Sequence, residues 1–240
     1  MPAKKSPRES TQKYHIKLYS DNKLFRKGSW LEKPNEEILE VVEKSFLKKR
    51  NVKVLDLGSG VGRNAIPIAK KIGKLGGQVV CVDYLDIAID KLKEYAVEYG
   101  VGGQIKGFVS PVEDFKIKSN SYDYIIAHSV LTHTESKEKM VQTIKATLRG
   151  VKQGGIVYIY MITNPKEFDA KTGKEQDPEA EVEISSKEAC NLLKNIFKNW
   201  TIQVLKKNPY EERFMKRGSE VIWRSNYLLF IAQNKIQKQN

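Results

Sequence analysis

Two groups of residues in this chain have the types and spacing that chemistry needs. The first is Asp56-Leu57-Gly58-Ser59-Gly60-Val61-Gly62-Arg63. Glycines at three alternate positions strip the Cβ atoms from a short stretch of backbone, so it can turn sharply and touch a ligand. The acid two places before the first glycine would sit beside that ligand, and it suits a positive group better than a pyrophosphate. A dinucleotide fingerprint would place a glycine at the sixth position, where Arg63 stands. The second group is His128-Ser129-Val130-Leu131-Thr132-His133, with two of the three histidines. Imidazole titrates near neutrality and can take the proton that an oxygen or nitrogen nucleophile loses. His128 and His133 are therefore candidate general bases, or structural imidazoles hydrogen-bonded beside the ligand.

The surrounding pattern says what must hold these groups. Val52–Leu57 reads as a buried parallel strand, and Asn64–Lys71 as the helix that follows the glycine turn. Pro34-Asn35-Glu36-Glu37 opens an earlier helix whose stripe is Ile38, Leu39, Val41, Val42, Phe46 and Leu47. Strands over 78–83, 105–109 and 122–127 alternate with a helix over 86–99, which specifies right-handed crossovers and a parallel sheet. Ser136 caps a helix over 137–149, and Gly154-Gly155 turns into a strand over 156–162. Ser185 or Ser186 caps a helix ending at Phe197. The polar segment 206–221 is too short for a crossover helix, so strands over 200–205 and 222–232 should be antiparallel neighbours. The ligand crevice then lies at the carboxyl ends of the parallel strands.

The stretch VLDLGSGVGRN resembles the cofactor motif of class I S-adenosylmethionine-dependent methyltransferases. The resemblance implies an α/β, Rossmann-like sheet of seven strands, mostly parallel with an antiparallel last strand, and helices on both faces. It also implies that Gly58, Ser59, Gly60 and Gly62 wall the methionine part of S-adenosylmethionine, that Asp56 holds its amino group, and that Asp83, followed by Tyr84, holds the ribose hydroxyls. An acid at that distance serves a dinucleotide ribose too, so Asp83 alone does not separate the two cofactors. Many family members aim an acid at the adenine where this chain has Pro111, which leaves the backbone NH of Val112 and the Glu113 carboxylate as candidates. His128 would lie at the cofactor as well as at the acceptor. Within the family the chain is most similar to small stand-alone enzymes of the TehB-like and ubiquinone/menaquinone type. That similarity implies oxyanion-binding roles for Arg63, Arg213 and Arg224.

At 240 residues with 40% apolar content the chain can bury one sizeable core. Residues 35–240 read as a single domain, with an acidic loop over 163–184 that carries Glu175, Asp177, Glu179, Glu181 and Glu183. That cluster could attract a cationic acceptor or simply balance nearby lysines. Residues 1–34 read as an N-terminal segment, disordered over 1–12 and then rich in aromatics, among them Tyr19 and Trp30. The segment is either pinned to the core or a lid over cofactor and substrate. The net charge of +13 lies entirely in the flanks, with an excess of seven over 1–53 and six over 198–240. Cys81 and Cys190 have no neighbour at metal-ligand spacing, so no metal is expected. With no run of about 18 apolar residues and no signal-peptide core, the expected location is cytoplasmic. The function expected is methyl transfer from S-adenosylmethionine to a small-molecule acceptor, leaving S-adenosylhomocysteine. The alternatives are an RNA or protein methyltransferase that uses the basic flanks, a non-catalytic cofactor-binding protein, and an NAD-dependent oxidoreductase. Nothing in the sequence indicates the oligomeric state.

Overall fold

The run Val54-Leu55-Asp56-Leu57 is apolar on both sides, and such a strand is stable only inside a sheet covered on both faces. In the computed structural model, which describes residues 7–216 and 218–235, β1 (Lys53–Leu57) takes that place. It pairs in parallel with β2 (Gln78–Asp83) and β4 (Tyr122–His128). Beyond them lie β3 (Ile105–Val109) and β5 (Val151–Asp169), and the order is β3-β2-β1-β4-β5-β8-β7. The penultimate strand in that order, β8 (Ser219–Gln233), runs antiparallel to both β5 and β7 (Thr201–Lys216). A two-residue strand, β6 (Glu175–Gln176), pairs with β5, so the sheet has eight strands rather than seven.

Strand order reverses between β1 and β4, which opens the crevice of an α/β sheet at their carboxyl ends. One face is covered by α2 (Glu36–Ser45), α3 (Ala65–Ile72) and α4 (Asp86–Glu98), packed on Ile126, Tyr158 and Leu229. The other carries α5 (Lys137–Gly150) and α6 (Ser186–Ile196) over Ile125, Val157 and Phe230. Asn35 caps α2 by accepting the Ile38 amide at 2.9 Å, and Ser136 and Ser185 cap α5 and α6 in the same way. No helix among the described residues is long and apolar enough to cross a membrane.

Three elements differ from the expectation. Residues 7–12, expected to be disordered, belong to α1 (Pro7–Asp21); residues 1–6 lie outside the described residues. The first part of the acidic loop, Thr163–Asp169, continues β5, while Val182 and Ile184 are buried in the core. In the polar segment 206–221, residues 206–216 and 219–221 are strand as well, so β7 and β8 form one long hairpin. Tyr160 is the last β5 residue paired with β4, and nine residues of β5 run past it, about 30 Å of chain. With β8 and β7 they build a flap above the crevice.

Candidate functional site

The glycine turn leaves β1 with left-handed backbone at Gly58, Gly60 and Gly62. A Cβ on Gly58 would lie 2.5 Å from Val130, and one on Gly60 would lie 2.7 Å from the Tyr19 hydroxyl. The glycines are therefore needed twice, for the conformation and for the close approach of neighbours. Asp83 Oδ2 accepts the Gly60 amide at 2.9 Å and its Oδ1 accepts the Leu85 amide at 3.0 Å, which ties the ends of β1 and β2 together. Burial raises the Asp83 pKa, opposed by those amides. Ser59, also buried, lies within hydrogen-bonding reach of the Gly60 carbonyl. Asp56 is fully enclosed, and its Oδ2 has no hydrogen-bond partner. A buried carboxylate oxygen without a donor marks a place for a cation.

Across the crevice, His128 ends β4. Its Nδ1 is 3.4 Å from the Tyr158 hydroxyl, and its ring stacks on Tyr160 at 4.6 Å. Tyr160 in turn stacks on Tyr227 at 5.0 Å, and Tyr227 meets Tyr210 at 4.6 Å. Four rings from β4, β5, β8 and β7 thus form a ladder across the sheet. Burial, with Arg63 adding to it, lowers the His128 pKa to about 3. Burial beside an arginine thus favours the neutral, hydrogen-bonding form of this imidazole. Arg63 donates to the Trp30 carbonyl at 2.9 Å and lies over the Trp30 ring at 4.9 Å. Burial lowers the Arg63 pKa, and Asp56 is the acid that most opposes that shift.

α1 roofs this crevice. Arg8, Thr11, His15 and Tyr19 recur at helical spacing along its inner side. Arg8 Nη1 is 3.2 Å from Glu113 Oε1, and its guanidinium lies 5.4 Å from the centre of the Tyr84 ring. His15 is 6.4 Å from both His133 and Trp30, ring to ring, and 5.7 Å from Tyr19. Tyr19 is 5% exposed, seated on Gly60. His133 Nδ1 is 3.0 Å from Glu181 Oε2. The roof therefore gathers the N-terminal aromatics, the second histidine and one member of the acidic cluster.

The structure brings together Asp56, Gly58, Ser59, Gly60, Gly62, Asp83, Tyr84, Arg63, Tyr19, Trp30, His128 and His133. Glu113 is turned to Arg8 and the Glu135 amide, and the Val112 side chain is buried in the core. Arg224 is paired with Glu211 at 2.7 Å and lies over Phe168 at 5.2 Å. It leaves the opposite side of β8 from Tyr227, because side chains alternate along a strand. Arg213, exposed on edge strand β7, alternates in the same way with Tyr210 and Glu212. Neither arginine joins Arg63. Sequence reasoning missed Arg8, His15, Glu181 and the tyrosines of the ladder. Tyr158-Ile159-Tyr160 at the end of a predicted strand was a readable signal for the ladder, since both rings had to share one face.

Residues 54–155 match the family model described as "Methyltransferase domain". Sterol 24-C-methyltransferase erg-4 of Neurospora crassa is 28% identical over 138 residues, which cover 58% of this chain and 35% of that protein. Ubiquinone biosynthesis O-methyltransferase of Rickettsia canadensis is 30% identical over 132 residues, 55% of this chain and 51% of the relative. The chain thus spans about a third to a half of the length of these curated relatives. TehB from Haemophilus influenzae superposes with a TM-score of 0.62 at 19% identity, over 84% of this chain and 62% of that one, a likeness of fold. Residues 54–155 thus match a methyltransferase domain, and the chain shares its fold with TehB.

Proposed function

We propose that this protein transfers the methyl group of S-adenosylmethionine to a small molecule held in the roofed crevice. When bound, the cofactor supplies an electrophilic methyl carbon on a sulfonium. The chain's own residues fit that cofactor on structural grounds. The unpartnered Asp56 Oδ2 would suit its ammonium, the glycine turn would admit its methionine part, and Asp83, tied by the Gly60 and Leu85 amides, would accept from the ribose hydroxyls with its remaining lone pairs. Arg63, close to Asp56 and carrying donors beyond the one used on Trp30, is placed to hold a carboxylate. The acceptor would rest on the half-buried ladder of His128, Tyr160, Tyr227 and Tyr210.

The observation that carries the small-molecule reading is α1 itself, seated on Gly60 and linked to Glu113. A crevice closed from above takes an acceptor that can be enclosed, and enclosure excludes water from the displacement. The test supplies S-adenosylmethionine with a labelled methyl group to the protein, with a small-molecule cell fraction, total RNA and cellular protein as separate acceptors. Label in the small-molecule fraction is expected. Label confined to RNA or to protein overturns the reading in favour of a macromolecular acceptor.

A further inference from the structure

A cradle, a roof and an acceptor floor leave the contact between His133 and Glu181 without a role. The two residues are 48 positions apart, yet His133 Nδ1 lies 3.0 Å from Glu181 Oε2. Glu181 has only 8% of its side chain exposed, against 28% for His133. The arrangement is built into the backbone, because the Val182 amide donates to the Thr132 carbonyl at 3.1 Å and Val182 is itself buried in the core. The segment that carries the acid is thereby fixed to the turn that carries the imidazole.

Protonation follows from elementary donor and acceptor rules. An ionised carboxylate only accepts, so the hydrogen between the two groups sits on Nδ1. In the neutral ring Nε2 then keeps its lone pair, and a carboxylate behind the ring strengthens it as a proton acceptor. His15 is the neighbouring ring on the roof. His15 has no partner for its buried Nδ1, and burial, with His133 next, lowers its pKa to about 4. Of the two adjacent imidazoles, only His133 is backed by a carboxylate.

We propose that Glu181 is a positioning residue that holds His133 in the Nδ1–H tautomer, with Nε2 free to act as base toward an acceptor whose nucleophile is a hydroxyl oxygen. This rests on the methyl-transfer reading. As the oxygen–methyl bond forms, the hydroxyl proton passes to Nε2 and from there to solvent. The electron pair of the broken sulfur–methyl bond stays on sulfur. The acidic segment thus has a specific task beyond balancing lysines, and the positioned base suits alcohols and phenols, which need one where thiolates do not.

Long-range proton–nitrogen NMR of the imidazole rings tests the assignment without turnover, and three histidines make the spectrum tractable. The His133 ring is expected to carry its hydrogen on Nδ1, with Nε2 bare. In Glu181→Ala it should return to the Nε2–H form that predominates in free histidine. A His133 ring that is Nε2–H, or protonated on both nitrogens, in the unsubstituted protein overturns the proposal. So does a tautomer unchanged in Glu181→Ala. Calorimetry with S-adenosylhomocysteine on the same samples separates the two failures. Absence of binding to the unsubstituted protein sinks the methyl-transfer reading, whereas binding with the wrong tautomer sinks only the role of Glu181.

Discussion

Burial raises the Asp56 pKa to about 7, with Arg63 opposing and Asp83 adding to the shift. An acid shifted upward on folding stabilises the fold below its unfolded value near 4, and that contribution is lost as pH rises through 7. Binding a cofactor ammonium requires the ionised form, so affinity should run the other way. S-adenosylhomocysteine is expected to bind about tenfold more weakly at pH 6 than at pH 8, with Asp56→Asn both weaker and flat across that range. Equal affinities at the two pH values, measured by calorimetry, would remove the ammonium from Asp56. His15 and His128, whose pKa values burial lowers to about 4 and about 3, contribute stability that is intact above 6.5 and falls away toward those values. The raised carboxyls of Asp56 and Asp83 act in the opposite sense, so the rings are read by difference: replacing both histidines with glutamine should reduce the loss of melting temperature between pH 7 and pH 5. An unchanged loss would mean that these rings are not buried neutral. At this scale the meeting of Asp83 with the glycine turn after Asp56 was legible, because these residues lie in short stretches where spacing implies geometry. Arg213 and Arg224 were not, since their direction depends on strand parity within a flap that the sequence does not announce.

α1 was hidden at the level of elements. Its inner side mixes Arg8, His15 and Tyr19, and a helical face that is polar and aromatic produces no apolar stripe to count. The same mixture makes it a removable roof, held by an ion pair, ring contacts and Tyr19 and not by a continuous apolar seam. Removing residues 1–21 should leave the fold intact by circular dichroism, weaken S-adenosylhomocysteine binding at least tenfold, and speed amide exchange over Gly58–Gly62. Unchanged affinity and exchange would show that the helix is an ornament. Gly60→Ala tests the same contact from below. The added Cβ meets the Tyr19 hydroxyl in backbone that already has φ of +52°, and a loss of about 1–3 kcal/mol in unfolding free energy is expected. A neutral substitution would show that Tyr19 does not rest on the turn. β1 to β4 could be read from alternation and glycine punctuation, whereas the outer half of β5 could not. Thr163–Asp169 is strand only because β8 runs alongside it, and such pairing is a non-local fact.

Over the whole molecule, the charge of +13 divides into a neutral core and basic flanks. Several acids of the 163–184 stretch are used locally, with Glu175 on Lys166 at 3.0 Å, and Glu167 and Glu179 both on Lys216. Glu181 instead lies 3.0 Å from His133 Nδ1. Such a charge distribution attracts polyanions at low salt without selecting among them. Affinity for an unstructured RNA should fall at least about tenfold between 50 and 200 mM salt, while S-adenosylhomocysteine binding barely changes. Tight RNA binding that survives physiological salt would favour a macromolecular acceptor. The overall architecture was legible because glycines, caps and strand lengths all pointed to one topology. The proposed acceptor site was not, because roof, flap and acidic segment come together only on folding.

Calorimetric titration with S-adenosylhomocysteine tests the central claim most directly, with NAD and the Asp83→Ala protein as controls. Micromolar binding that is lost in Asp83→Ala, with NAD silent, is the predicted result. No binding, or a preference for NAD, would contradict the assignment of the glycine turn and the function built on it.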